Sequence, residues 1–553
     1  MTKHSRSNST QLTVKKPARG TSPLTRPTDF PEAWEPFMNE TVPNWVKRTY
    51  SPRESWKNRP FSRQDAMFFL KGVRELSDLF TDERPNQLPT YFNHPKFRSS
   101  YLLYFLPLQA AKFISLFQAH TEAIDHALIH ARLKGALRVA DLGSGPGTAS
   151  LALLLHLLDR HERKGEELPK TIELDWFDTS RGILEEGKAL LKELTTAFPA
   201  LEGRIAIRTH VRSWLEAPKL LPHPCSLILI GNMLNEESAS NVRGGGTRGR
   251  GKNQGRRADR RQIPLEPEPA PIDDDGLEGD IGAETESRTD RFAATPTFRV
   301  ISELQRRTEG GGILLLEPAA RAPSRLLSLL RDTLLDQEVI KKSPASLWGP
   351  CLHAGRCPLG EGRDWCHFSV PSEIPGEHFL FLSKGLGSER QWLKFSYLWL
   401  ASADSPAASQ LKLSRQRRVI SDVIQPPGGT SGARQDKGML LLCEPDIAKR
   451  VSSKTARAPD GSPLRRGDLH QDGQEPSPHS ARPGRLERPS RHPSPGKSTR
   501  APERNADRTN DRADERSASR KSSPRQEREE SRGKPAREKL RVRFKGTGPS
   551  RGR

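Results

Sequence analysis

The chain has 553 residues, a net charge of +22 and only 33% hydrophobic residues, with a mean hydropathy of −0.72 and a pI of about 10.0. That balance is too polar for one wholly folded chain of this length, and it favours a polyanionic partner, nucleic acid before an acidic membrane surface. Five unevenly spread cysteines exclude a disulfide scaffold and fit thiolate ligands in a reducing compartment, and with no run of about 18 apolar residues no membrane span is expected.

Residues 1–29 hold Lys3, Arg6, Lys15, Lys16, Arg19 and Arg26 and no acid before Asp29. This reads as a disordered basic arm. An organelle transit peptide has a similar composition, and no apolar stretch of a secretory signal is present. Because such an arm need not be an address, the bacterial cytoplasm is expected, with the mitochondrial matrix as the alternative. Residues 30–135 read as a helical domain. Phe68, Phe69, Val73, Leu76, Leu79 and Phe80 recur at helical spacing from Ser62 to about Phe80, with Ser62 and Asp65 as an N-terminal cap. A second apolar segment, Tyr101 to Phe117, contains Pro107, which should kink or split it.

An α/β core follows in two parts, 136–237 and 299–345. Val139, Ala140 and Leu142 read as a short buried strand with Asp141 near its end. Gly143, Gly145 and Gly147 then make a turn of bare backbone, and Thr148 to Leu158 is an apolar helix. Such a turn admits a ligand close to the main chain, beside the free N–H groups of the helix start. The G-x-G-x-G spacing is not the G-x-G-x-x-G of dinucleotide binders. It resembles motif I of the S-adenosylmethionine-dependent methyltransferases, with an ordinary tight strand-to-helix turn as the alternative. Ile172 to Phe177 reads as the second strand, ending at Asp178, whose carboxylate can accept from ribose hydroxyls. Ile205 to Ile207, Ser226 to Ile230 and Ile313 to Leu316 read as three more strands. Between the last two, residues 238–298 include Arg-Gly-rich and acidic runs without periodicity and read as a disordered insertion.

Residues 346–450 read as a separate cysteine-cluster and strand module, with β-like runs at His378 to Leu382, Leu393 to Leu400, Val419 to Ile424 and Met439 to Leu442. Residues 451–553, rich in Arg, Ser, Pro, Lys and Glu, read as a disordered basic tail that attracts phosphate backbones without sequence preference. Cys351, Cys357 and Cys366 lie in a Gly/Pro-containing loop free to converge, and Cys443 ends a strand able to pair back. Four thiolates are the ligand set of a tetrahedral zinc or an iron–sulfur cluster. The gaps of five and eight residues are longer than those of common zinc knuckles. His353 and His367 are nearby candidates for the same site.

These pieces together resemble a known family. They are Tyr101 and Pro107, the Asp141–Gly147 turn, Pro350-Cys351, His353, Cys357-Pro358, Asp364-Trp365-Cys366-His367-Phe368, Lys394-Phe395-Ser396-Tyr397-Leu398 and Leu442-Cys443. The combination is similar to the methyltransferase-like mitochondrial small-subunit ribosome-assembly factors and their bacterial relatives, over about residues 60–450 minus the insertion. The resemblance implies a seven-strand methyltransferase-like (Rossmann-like) α/β sheet, a [4Fe–4S] cluster on Cys351, Cys357, Cys366 and Cys443, and binding to small-subunit rRNA. An S-adenosylmethionine site would comprise Asp141, Gly143, Gly145, Gly147 and Asp178. No catalytic set is recognisable. After the fourth strand stands Gly231-Asn-Met-Leu-Asn-Glu236 in place of the Asn/Asp-Pro-Pro-aromatic motif that grips a flipped base. Cys225 precedes its strand, at the wrong end of the sheet for a nucleophile. The expected function is therefore an rRNA-binding assembly factor, with an active rRNA methyltransferase and a non-enzymatic zinc-stapled RNA-binding protein as alternatives.

Overall fold

Alternate residues of the central strands enter two different cores, which fixes a layered α/β architecture in the computed structural model. Leu227 and Leu229 join one apolar cluster, Ile228 and Ile230 the other, so the sheet is covered on both faces as parallel strands require. The structure describes residues 23–52, 54–81, 88–234, 287–360, 364–387, 392–405, 416–424, 438–453, 456 and 463–471. Residues 1–22, most of the expected insertion and the chain beyond 471 lie outside them.

The strands of this sheet are β1 (Leu137–Leu142), β2 (Ile172–Asp178), β3 (Ile205–Val211), β4 (Cys225–Gly231), β5 (Thr308–Pro318), β6 (Leu347–Gly349), β7 (Phe368–Pro371) and β8 (Trp392–Leu400). Their order is β3-β2-β1-β4-β5-β8-β6, with β7 also on β8. The first five are mutually parallel. β8 runs antiparallel to β5, and β6 and β7 run antiparallel to β8. β6 and β7 occupy one edge position end to end: Gly349 pairs with Trp399 and Phe368 with Phe395. Eight pieces thus fill seven positions, and the cysteine loop is an excursion inserted into the seventh. The expected mostly parallel α/β sheet is present, with the order reversing beside β1, where ligands of such sheets bind.

The helices carry the pattern read from the sequence, with corrections. The first long one spans Arg63–Thr81. Its start is held by Asp65 Oδ2, which accepts from Ser62 N at 2.9 Å and Ser62 Oγ at 2.7 Å, the return half of a capping box. Pro107 does not break its segment. A π-turn at Tyr101–Phe105 passes directly into an α-helix at Leu106–Ala119, and the proline stands at the change of winding. The continuous stretch Pro95–Ala119 is long and apolar enough to span a membrane by length and composition, contrary to the expectation of no such stretch. Its most apolar window is 83% buried in this fold, as a core helix is.

Four expectations also change. His378 to Leu382, expected as a strand, lies in the helix Glu377–Gly385, because His378, Phe379 and Leu382 need one helical face to bury. Residues 346–450 are not a separate module. β6, β7 and β8 complete the main sheet, and only β9 (Gln416–Val419), β10 (Met439–Glu444), β11 (Ile447–Ser452) and β12 (Leu469–Gln471) form a second one, in the order β11-β10-β9-β12. This small sheet runs past residue 450 into the expected tail, with Leu464 packed in its core. The helix Arg288–Ala293 falls inside the segment read as disordered. Ser287 caps it, and Thr295 with Pro296 starts the next helix.

Candidate functional site

The glycine turn leaves the C-terminal end of β1. Gly143, Gly145 and Gly147 have φ of +68°, +53° and +78°, a region costly for residues with a Cβ. Packing adds to this at two of the three. A Cβ on Gly143 would meet Met233 Sδ at 2.0 Å, and one on Gly147 would meet the Trp176 ring at 2.2 Å. At Gly145 the nearest atoms belong to Phe92, at 3.8 Å, so here the φ alone demands glycine. Phe92 comes from the N-terminal helical layer, which roofs the turn. Arg98 fixes that roof: it donates to Phe92 O at 2.8 Å and to Glu186 Oε1 at 2.6 Å, on the helix Arg181–Ala197 that follows β2. Sequence reading missed Phe92, which has no spacing signal relative to the turn.

The two acids of the turn do different work. Asp141, 2% exposed, accepts from Ser150 N at 2.9 Å and Ser150 Oγ at 2.8 Å. Ser150 Oγ in turn accepts from Trp176 Nε1 at 2.9 Å. Asp141 thus braces the first turn of the helix Thr148–Lys164, and burial pushes its carboxyl up to about 7. Asp178 accepts from Gly145 N at 3.0 Å and Ser180 N at 2.8 Å, and burial raises it to about 6. Thr179 N also contributes a backbone hydrogen bond. Three amides take three of the carboxylate's four lone-pair sites, which leaves one for a ribose hydroxyl at the end of β2.

The end of β4 closes this space. Asn232 takes φ 60°, and its buried Oδ1 has no hydrogen-bond partner among the described residues. Leu234 N donates to Glu317 Oε1 at 2.9 Å, tying β4 to the end of β5. Asn235 and Glu236 lie outside the described residues. Cys225 is buried at the opposite end of β4, its thiol pushed up to about 12 by burial, which leaves it inert.

The cysteine loop connects β6 to β7 and is pinned from three sides. Cys357 N donates to Asp332 Oδ2 at 3.0 Å, and Cys357 Sγ lies 3.4 Å from Ser328 Oγ, both on the helix Arg321–Asp336. Ser396 Oγ on β8 donates to Cys366 O at 2.9 Å. Asp446, after β10, exchanges hydrogen bonds of 3.2 Å with the backbone of Arg356. Cys443 on β10 faces the loop, with His353 Nε2 3.2 Å from its Sγ. Burial raises the Cys357 thiol to about 11 and the Cys366 and Cys443 thiols well above the ordinary range. The next contributions come from the other cysteines: Cys351 acts on all three, Cys357 on Cys366, and both Cys357 and Cys366 on Cys443. All four thiols thus lie within electrostatic reach of one another. Among the described residues no three His, Cys, Asp or Glu side chains already stand at the distances of a metal site, so a metal would have to draw the thiols inward and displace their protons. As a soft donor set of four half-buried thiols, they have the chemistry of ligands to zinc or an iron–sulfur cluster. His367 Nδ1 lies 3.1 Å from Trp365 O.

A family model described as mitochondrial small ribosomal subunit Rsm22 matches residues 297–469. The match runs from the helix before β5 through the cysteine loop to β12, and it bears out the family resemblance read from the sequence. No curated protein and no solved structure matches. The family's description points to mitochondria and overturns the bacterial cytoplasm expected from the N-terminal arm, while the matrix alternative agrees with it. The error has a simple origin: a solvated basic arm and a transit peptide share one composition.

Proposed function

We propose that the chain is a member of the Rsm22 family, whose model matches residues 297–469, and that it is an assembly factor of the mitochondrial small ribosomal subunit that binds rRNA, S-adenosylmethionine and a four-cysteine metal centre. What carries the reading is the meeting of Cys443 with the loop of Cys351, Cys357 and Cys366 at the edge of a methyltransferase-like sheet, inside the matched region. The centre would be a [4Fe–4S] cluster on these four residues, with zinc as the alternative. It would supply folding energy by joining the split edge strand to the small sheet. Gly143, Gly145, Gly147 and Asp178 would line the nucleoside pocket, with Asp141 bracing it from behind. The basic segments would add salt-sensitive attraction to rRNA.

The test is metal and ribosome binding by the full chain purified without oxygen. About four irons and four sulfides per chain, with absorption near 400 nm, are expected of a [4Fe–4S] centre on four thiolates. Co-sedimentation with small ribosomal subunits should weaken as salt rises. A chain that holds no metal and does not sediment with the subunit would refute the reading.

One observation favours a second reading, an active rRNA methyltransferase. The buried, unpartnered Asn232 Oδ1 at the end of β4 is suited to accept from a target amine. Mass spectrometry of small-subunit rRNA decides between the two. A methyl group lost with the gene, and restored by the wild type but not by Asn232→Ala, would establish the enzyme.

A further inference from the structure

Three buried guanidinium groups ring the cysteine loop. Arg331 is 1% exposed, Arg418 and Arg466 7% each. Each donates to a carbonyl within two residues of a cysteine. Arg418 Nε reaches Pro350 O at 2.6 Å, Arg331 Nη2 reaches His353 O at 2.6 Å and Arg466 Nη1 reaches Trp365 O at 3.4 Å. Arg418 also donates to Gly467 O at 2.8 Å. It stands directly across from Cys443 in the ladder between β9 and β10, so the two side chains leave the sheet on one face.

The three differ in what balances their charge. Arg331 has Asp332 beside it, and Arg466 has Asp364 at 3.8 Å and Asp422 at 3.9 Å. Among the described residues no carboxylate pairs with Arg418. Carbonyl oxygens satisfy its N–H groups but not its charge, and a buried charge without a counter-charge is costly. The anions that can meet it are thiolates. Four thiolates around a dipositive centre leave a doubly negative site.

We propose that Arg418 is the counter-charge and positioning residue of the cysteine centre: its guanidinium, held by Pro350 and Gly467 opposite Cys443, offsets the negative charge that the thiolates acquire on taking a metal, and so favours the loaded site over the empty one. The proposal rests on the reading that the four cysteines take a metal. It goes further in assigning the loaded site's charge balance to a residue that is not a ligand.

The experiment compares full-length wild type with Arg418→Gln, which keeps donors to the carbonyls without the charge, and Arg418→Lys, which keeps the charge. Each is loaded with Zn²⁺ alone or with ferrous iron and sulfide. Chelator competition measures metal retention, and thermal unfolding is followed in loaded and empty forms. Arg418→Gln is expected to retain metal at least about tenfold more weakly, with Arg418→Lys closer to wild type. The melting temperature of the Gln variant should fall in the loaded form and fall less, or rise, in the empty one. Equal retention by all three proteins, matching losses in both forms, or Gln and Lys variants that behave alike would overturn the proposal. A wild-type chain that takes up neither metal would instead refute the cysteine-centre reading, and the role of Arg418 with it.

Discussion

The glycine turn and the cysteine edge belong to one sheet and are built in opposite ways. The turn is nearly self-contained. Gly147 N donates to Ser144 O, Ser144 N to Phe177 O on the next strand, and Asp141 accepts from Ser150 nine residues on. Its shape comes with the formation of β1 and β2. The cysteine edge instead requires a loop, a helix and a strand from a second sheet to meet. Its contacts span large sequence separations, such as His353 with Cys443 and Arg418 with Pro350. A site assembled from distant pieces is the one whose order depends on what it binds.

The sharpest way to break that contrast is to remove ligands. On the proposed reading of the cysteines as a metal centre, a Cys351→Ser, Cys366→Ser chain should hold no metal. Amide exchange should then quicken by about tenfold or more at Leu347–Gly349, Phe368–Pro371 and Met439–Glu444, with Leu137–Leu142 and Ile172–Asp178 unchanged. Hydrogen-exchange mass spectrometry measures both regions at once. Equal loosening of both would mean that the two sites are not independently built.

The glycines sharpen the comparison from the other side. Gly147→Ala places a Cβ against the Trp176 ring at a φ of +78° and should cost about 3 kcal/mol, from strain and overpacking together. Gly145→Ala meets only ordinary contact with Phe92 and should cost about 1 kcal/mol. Denaturant titration gives the difference. Asp178→Asn should cost about 1 kcal/mol as well. It puts an amide NH₂ towards Gly145 N or Ser180 N and, on the proposed reading of this turn as a nucleoside site, should weaken S-adenosylmethionine binding about tenfold by calorimetry.

What could be read from the sequence follows the same division. β1, the turn, the helix after it and β2 to Asp178 were legible because each signal is local: apolar alternation, glycine spacing, an acid at a strand end. The four cysteines were legible as a set, since residue type alone marks them. That their loop splits an edge strand was not, because β6 has three residues and its pairing with Leu400 and Trp399 is long-range. Arg418 and Phe92 were invisible for the same reason: their partners, Pro350 and Gly145, lie far off in sequence. His378 to Leu382 misled because a short apolar run fits a strand or a buried helix face equally.

A further effect lies in the helix behind the glycine turn. His156 is 3% exposed, and neither ring nitrogen has a partner among the described residues. Burial lowers its pKa to about 3, with Arg160 and Lys164 adding to this. A histidine depressed from its unfolded value contributes stability that is present above about pH 6.5 and lost as pH falls toward the folded value. Asp141, raised to about 7 in the same half of the sheet, works the other way: its contribution is present below the unfolded carboxylate value and lost as pH rises through 7. His156→Leu should therefore shift the acid-unfolding midpoint to lower pH, and it should add about 1 kcal/mol near neutrality by removing two unsatisfied nitrogens. Acid lability should not vanish, because His120 and His378 are also held neutral by burial. Thermal melts from pH 4 to 8 measure the shift. An unchanged midpoint would mean that water or movement in this helix already serves His156, and that the glycine-turn half is less closely packed than its contacts indicate.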